Sequence, residues 1–248
     1  ALIRKDCETA IIRADIQRVN RELLVEAEIS RARQNKVFIN KQKITPLRNL
    51  NGLIPITIFG PDDLNLIKSG PSIRRNYIDD LLVQLHPKNI QTRIDIEQVL
   101  KQRNALLKQA RGRLTEDINV TLQVWDEKLH SLSEEWGQER KSILKEINAY
   151  AEQAYLELSG GKVSLELIYD PPWLEQGLLH VFQQVRDDEL RRGTTLAGPH
   201  RDEINVFLSG LPARTHASQG EQRTIALSLR IAGHLLLENV HQTKPPLC

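Results

Sequence analysis

The residues best suited to chemistry lie together in His216-Ala217-Ser218-Gln219-Gly220-Glu221-Gln222-Arg223-Thr224. A hydroxyl, a glycine and a Glu/Gln pair precede a run in which Ile225, Leu229, Ala232 and Leu236 recur at helical spacing, which puts Ser218 at an N-cap. The N-terminus of such a helix offers unpaired backbone N–H groups and about half a positive charge, both suited to a phosphate oxygen. Gly220 has no side chain, so an anion can approach that backbone closely. The same residues also read as an ordinary capped helix without a ligand.

Other candidates are less specific. His200, between Pro199 and Arg201, has the chemistry of an acid or base, but no cysteine or serine nucleophile sits in a supporting pattern. Structural hydrogen bonding is the simpler role for His200 and Arg201. Arg74-Arg75, next to the acidic loop Gly60-Pro61-Asp62-Asp63, reads either as a surface ion-pair cluster of little energetic weight or as a hinge near a nucleotide. Ser159-Gly160-Gly161-Lys162 resembles a phosphate loop only superficially. Leu156 stands where the first glycine is required and Val163 where a Ser or Thr is required. The two glycines more simply end a helix. Arg31, Arg33, Lys36, Lys41, Lys43 and Arg48 make the most basic stretch, either as solvated charges on sheet edges or as a surface for phosphates.

Composition narrows the setting. Charged residues are 27% of the 248, aromatics 4%, and net charge is +2, so any affinity for nucleic acid must be local. No apolar run approaches the roughly 20 residues of a membrane span. Cys7 and Cys248 build neither a disulfide framework nor a metal-ligand spacing, which favours a reducing, cytoplasmic setting. The chain opens on Ala1, has no methionine, and closes on Lys244-Pro245-Pro246-Leu247-Cys248, so it reads as a piece of a longer protein.

The elements that would position these residues follow from periodicity. Ile11, Ala14, Ile16, Leu23, Val25, Ala27 and Ile29 alternate with charges around a turn at Arg18–Arg21, and Val37–Ile39 and Ile44 form a second pair; together they predict a small antiparallel sheet with one wet face. Residues 54–59 read as a short buried strand. Pro71 starts a helix with Ile73, Tyr77, Ile78, Leu81, Leu82 and Leu85 on its apolar face. Ile96, Val99, Leu106, Ala110 and Leu114, interrupted by Arg103, begin two or three long amphipathic helices that run through Trp125, Trp136 and, beyond Gly137, Ile147, packed as a short antiparallel coiled coil. A strand at 163–169, a helix over 174–185 and a strand at 204–208 lead to the opening stretch.

Taken in order, FGPDDLNLIKSGPSIRRNYIDDLL (59–82), VLKQRNALLK (99–108), VWDEKL (124–129), TLAGPHRDEINVFLSG (195–210) and ASQGEQRTIALSLRIA (217–232) resemble the RecF family of bacterial repair ATPases, of the ABC/SMC-like class. The resemblance implies a mixed α/β head of the ABC-ATPase kind, incomplete at both ends, with an inserted antiparallel helical arm: residues 1–70 in the first lobe, 71–160 the arm, 161–248 the rest of the head. It places the Walker A loop before Ala1 and the Walker B acids after Cys248. Ser218, Gln219, Gly220, Glu221 and Gln222 would form the signature that meets ATP, with Mg2+, held by a second copy. Pro61, Asp62 and Asp63 would occupy a Q-loop position without its glutamine, and Arg74, Arg75, His200, Arg201 and Asp202 would lie structurally near the nucleotide. The family's partners would be an ATP-dependent second copy, DNA as single strands and single-strand/double-strand junctions, RecO, RecR and RecA, with no membrane. Hydrolysis would be slow in the whole protein and absent from residues 1–248 alone. The other readings are a coiled-coil scaffold without enzymatic activity, or an SMC-class sibling, which would need a longer arm than 90–158.

Overall fold

A computed structural model describes residues 2–18, 21–45, 55–161 and 163–247, the side chains of Arg18 and Arg21 excepted. The chain divides into two units, 1–53 and 54–248. In the first, alternating residues build an antiparallel sheet in the order β1 (Thr9–Arg18), β2 (Arg21–Ser30), β3 (Lys36–Ile39), β4 (Gln42–Ile44). Ile12 pairs with Ala27, Ala14 with Val25 and Ile16 with Leu23, then Ala27 with Val37 and Val37 with Ile44, which gathers an apolar face. The register sets Ile11 on the other face, opposite Glu28, contrary to its expected place in the apolar set. Ile11 and Ile12 are both exposed, so β1 shows apolar groups to solvent on both faces instead of having one wet face. Asn40 and Lys41 turn β3 into β4 at positive φ, the geometry of a two-residue hairpin loop. The central pair of the expected turn at Arg18–Arg21, Val19-Asn20, lies outside the described residues.

In the second unit, 55–59 departs from the expected buried strand. Thr57 makes a single parallel bridge to Leu247, with its N–H donating to Pro246 O at 3.0 Å. Ile58 and Phe59 are 58% and 48% exposed. One bridge is no ladder, and an apolar run too short to show a period carried no information on burial. A 3-10 turn, Pro61–Leu64, and α1 (Asn65–Lys68) lead to α2 (Pro71–Leu85). Pro71 occupies the first turn, where its missing N–H leaves nothing unpaired. Tyr77, Ile78, Leu81, Leu82 and Leu85 are buried, while Ile73 points to solvent.

The long helices are α3 (Asn89–Ala110) and α4 (Glu116–Ser159). Thr115 caps α4, Glu116 and Asp117 complement its dipole, and Gly160 ends it in the left-handed region. Gly137 lies inside α4 and breaks nothing. A Cβ there would come within 2.6 Å of the Trp173 ring, so the glycine makes room for an aromatic from the next helix. On α3 the buried stripe moves to Leu107 and Ala110, and Leu114 lies beyond the helix, exposed. The expected helix over 174–185 is divided at Gly177, φ 85°, into α5 (Pro172–Gln176) and α6 (Leu178–Arg192).

β5 (Leu165–Ile168), β6 (Asn205–Leu208) and β7 (Leu211–Pro212) form a second antiparallel sheet, and α7 (Ala213–His216) turns into α8 (Gln219–His241). One core runs from Leu66 and Leu82 through Leu144, Ile147 and Phe182 to Leu229 and Leu236. Leu107, Ala110, Leu122 and Leu190 form a smaller one. No described helix is long and apolar enough to cross a membrane.

Candidate nucleotide-contact site

At the N-terminus of α8, Ser218 and Glu221 form a reciprocal capping box. The Glu221 N–H donates to Ser218 Oγ at 3.3 Å, and the Ser218 N–H donates to Glu221 Oε2 at 2.7 Å. A hydrogen bond from the Ser218 side chain, and then the one from the Ser218 N–H, hold the Glu221 carboxyl below its usual range. Ser218 Oγ accepts from the Glu221 N–H, and the Ser218 side chain also bonds to the Glu221 carboxyl. Beneath the box Gln222 is buried, and its amide donates to Ala217 O at 3.1 Å and to Ala213 O and Arg214 O at 3.4 Å, fixing the turn from α7. Ser218, Gln219 and Gly220 are exposed. A Cβ on Gly220 would meet nothing within 4 Å. The first-turn N–H groups of a helix have no intrahelical acceptor, so an open patch of donors is set over a braced turn. Burial and then the charge of Glu221 push up the Tyr155 phenol at the end of α4.

The loop at 60–63 is tied to this helix. Gly60 N–H donates to Asp63 Oδ2, and Arg230 Nε of α8 donates to Asp63 Oδ1, each at 2.8 Å. The Arg230 guanidinium lies 4.9 Å from the Tyr77 ring centroid, and the Tyr77 hydroxyl donates to Leu229 O. Gly233 permits this: a Cβ there would fall 2.6 Å from that hydroxyl. Asp63 is buried, while Pro61 and Asp62 face solvent.

Arg74 is not part of a surface cluster. It is buried, with Nε donating to Ile204 O at 2.7 Å and Nη1 to Ser69 O and Leu66 O at 3.0 and 3.1 Å, and it pairs with Glu203. Arg75 donates to Asp202 O at 2.5 Å. The Asp202 carboxylate accepts from Tyr169 Oη and Trp173 Nε1, both at 2.7 Å, and from Arg140 Nη1 at 3.3 Å. Burial raises its pKa, against the opposing effect of those donors. Arg140 also clasps Asp79 through two bonds of 2.7 and 2.8 Å. His200 Nε2 and Arg201 Nε both meet Thr195 O, at 3.3 and 3.2 Å. Burial, with the nearby charges of Arg201, Arg75 and Arg103 overriding that bond, lowers the His200 imidazole to about 4. Both side chains are thus tied to the backbone of the turn that carries Thr195.

The sequence reading missed what Arg103 does. Fully buried, it binds Glu189 through two bonds of 2.6 and 3.0 Å, Asp126 at 2.7 Å and Thr195 Oγ1 at 2.9 Å, and its guanidinium stacks 4.1 Å from the Phe182 ring centroid. Arg186 pairs with the second oxygen of Asp126. The cluster joins α3, α4, α6 and the turn that carries Thr195. Its one signal in the sequence was a charge at an apolar helical position.

The basic stretch is less basic in three dimensions. Arg31 donates to Cys7 O and Arg4 O at 3.1 and 3.2 Å, Lys36 pairs with Glu28 at 3.2 Å, and the register sets Glu22, Glu26 and Glu28 on the same face as Lys36 and Lys43. Arg33, Lys41 and Lys43 remain exposed. Arg48 lies outside the described residues. No group of three or more His, Cys, Asp or Glu among the described residues is placed to hold a metal ion.

No family model matches the chain. The DNA replication and repair protein RecF of Leifsonia xyli subsp. xyli is 37% identical over 270 residues, covering 100% of this chain and 70% of that protein. Its counterparts in Renibacterium salmoninarum and Kineococcus radiotolerans are 35% and 36% identical, covering 96% and 95% of this chain and 68% and 66% of theirs. A solved structure of the recombination mediator protein RecF-ATPrS in the RecFOR pathway aligns with a TM-score of 0.85 at 25% identity, over 99% of this chain and 68% of that one. The chain thus spans about two thirds of the length of the curated relatives it matches.

Proposed function

The chain belongs to the RecF family, and from that premise we propose that it is part of an ATP-dependent DNA-binding protein of replication and recombinational repair, with the N-terminus of α8 as its signature segment. The carrying observation is the exposure of Ser218, Gln219 and Gly220 over the buried brace of Gln222, with open space where a Gly220 side chain would project. Such a surface suits the terminal phosphate of an ATP whose phosphate loop belongs to a second copy. The Ser218 hydroxyl and the N–H groups of Gln219 and Gly220 would orient it, and the helix dipole would favour its charge. In return the nucleotide supplies the bridge between copies, so the dimer is stable while ATP is bound and parts after hydrolysis.

In this reading residues 1–70 belong to the first lobe, 71–160 to the arm and 161–248 to the remainder of the head. The 60–63 loop reports on the same nucleotide through Asp63 and Arg230. Asp63 is already held by Arg230 and Gly60, which leaves Asp62 as the loop's exposed carboxylate. ATP in such sites travels with Mg2+; with no ligand cluster among the described residues, we assign none to it. The DNA contacted would be single strands and their junctions with duplex, and RecO, RecR and RecA would be the co-workers. Exposed Arg33, Lys41 and Lys43 are the better candidates for phosphate contact; Arg31 and Lys36 already have partners. Binding through such cations weakens steeply with salt.

The test is Ser218→Arg in the protein at its relatives' full length. ATP-dependent dimerisation, read by light scattering, should be abolished, while ATP binding by the separate copies stays within about twofold, a shift of under ~0.5 kcal/mol. Equal loss of both would refute contact between copies.

A further inference from the structure

We propose that the outer face of α3, with the end of α6 and the turn that follows it, is a contact surface for the phosphate backbone of double-stranded nucleic acid. The inference rests on the reading of this family member as a DNA-binding protein, and adds a surface and a strand class to it. Lys101, Lys108, Arg192 and Arg201 carry it, and all four are exposed.

Short contacts bring them together. Lys101 and Lys108 lie seven positions apart on α3, so they share a face and stand ~10 Å apart along its axis. The end of α6 meets this face: a Cβ on Gly193, the residue after Arg192, would fall 3.1 Å from Lys108 Cγ. Asn104, between the two lysines, accepts the Thr195 N–H on its side-chain oxygen at 2.7 Å, and Thr195 O accepts from Arg201 Nε at 3.2 Å. Among the described residues, Lys101, Lys108 and Arg192 have no ion pair or side-chain hydrogen bond, and Arg201 has none beyond Thr195 O. The acids around them are largely taken: Glu97 pairs with Arg93, Glu203 with Arg74, Asp188 with Arg191 and Glu189 with Arg103. Exposed Asp187 offsets one charge, and an excess of positive charge remains.

Helix ends explain part of this excess. Cations complement the roughly half negative charge at a helix C-terminus, which suits Lys108 and Arg192 in their last turns. Lys101 lies inside α3 and Arg201 in a turn, where no helix end calls for them. What fits all four is a long anion with regularly spaced charges. The ~10 Å between Lys101 and Lys108 equals about three steps of 3.4 Å along one strand of a duplex. Neither α3 nor the turn of residues 193–201 contains a Phe, Tyr or Trp, and Phe182 of α6 is fully buried. The bases of a single strand therefore find no aromatic platform to stack on. No large apolar side chain is exposed on α3 or α6, so the face is not made for a lipid surface.

The experiment follows the fluorescence anisotropy of a labelled duplex, and of one of its strands, with the protein at its relatives' full length and ATP, between about 50 and 200 mM salt. The combined variant Lys101→Gln, Lys108→Gln, Arg192→Gln should weaken duplex binding at least tenfold at the lower salt. Its slope of log affinity against log salt should shrink by about 2 to 3, near 0.9 for each lost contact. ATP-dependent dimerisation and urea unfolding should match the parent, which separates lost contact from lost fold. The set that keeps the charges, Lys101→Arg, Lys108→Arg and Arg192→Lys, should bind duplex as the parent does. Unchanged duplex affinity and slope in the neutralised variant, or a larger loss for the single strand than for the duplex, would overturn the assignment. Unchanged duplex binding with lost affinity for polyglutamate would also overturn it, and would give the face to an acidic protein segment. A parent that binds no duplex would refute the DNA-binding reading itself, a result distinct from a parent that binds and a variant that is unaffected.

Discussion

Ser218 is an exposed helix cap, and in the proposed reading it is also a phosphate contact, two roles the sequence presented as alternatives. The cap uses its oxygen as acceptor from the Glu221 N–H, and the proposed contact uses the exposed face of the same hydroxyl. Removing the hydroxyl therefore has two separable effects. Ser218→Ala should cost about 1 kcal/mol of stability in urea unfolding, the usual loss at an N-cap, and should also weaken nucleotide-bridged assembly of the full-length protein. Gly220 separates the effects more cleanly, because its missing side chain faces open space. Gly220→Gln should leave stability unchanged or raise it by up to ~1 kcal/mol, as replacing glycine in a helix does, while blocking the approach of a phosphate. His200 carries a different signature. Its folded-state pKa of about 4 lies below the ordinary 6.5, so between those values the unfolded chain binds more protons and stability falls as pH falls. Urea unfolding at pH 7 and pH 4 should give a larger loss for the parent than for His200→Gln; an equal loss would mean that His200 is not the group responsible. The capping pattern was legible because it is local. The bonds of Arg74 to Ile204 and of Arg75 to Asp202 were not, since those partners lie about 130 positions away along the chain.

Among the elements, the long helices and the hairpins were readable from periodicity, and their interruptions were not. Gly137 looked like punctuation, yet α4 passes through it because Trp173 fills the space above. Gly137→Ala should therefore destabilise by ~1–3 kcal/mol, the cost of overpacking, even though alanine is the better helix former; unchanged stability in urea would mean that the ring moves aside freely. Arg103 taught the same lesson in charge. Read as a gap in an apolar stripe, it is the hub that joins α3, α4 and α6. Arg103→Leu leaves Glu189 and Asp126 buried without their main partner, and breaking such a cluster from one side costs ~3–5 kcal/mol. Circular dichroism melts should register this as a large fall in Tm, whereas a change under 1 kcal/mol would mean that Arg186 and Thr195 suffice. In the sheet of residues 9–44 the alternation was visible, but the register was needed to see that β2 sets glutamates among the lysines.

For the whole molecule, the order of the motifs along the chain outweighed any single one. SQGEQ by itself could cap any helix; GPHRDE shortly before it, with the arm upstream of both, pointed to one family. In the proposed reading, the open helix end of α8 receives a ligand that arrives on another copy. The claim has a direct test in mixed assemblies of full-length protein. One copy carries Ser218→Arg with an intact phosphate loop; the other carries a disabled phosphate loop with Ser218 intact. Neither should dimerise with ATP alone. Mixed together, they should recover one composite site per pair and dimerise when ATP is added, because the sound loop of the first meets the sound helix of the second. A mixture that stays monomeric, while the unmutated protein dimerises under the same conditions, would contradict the account.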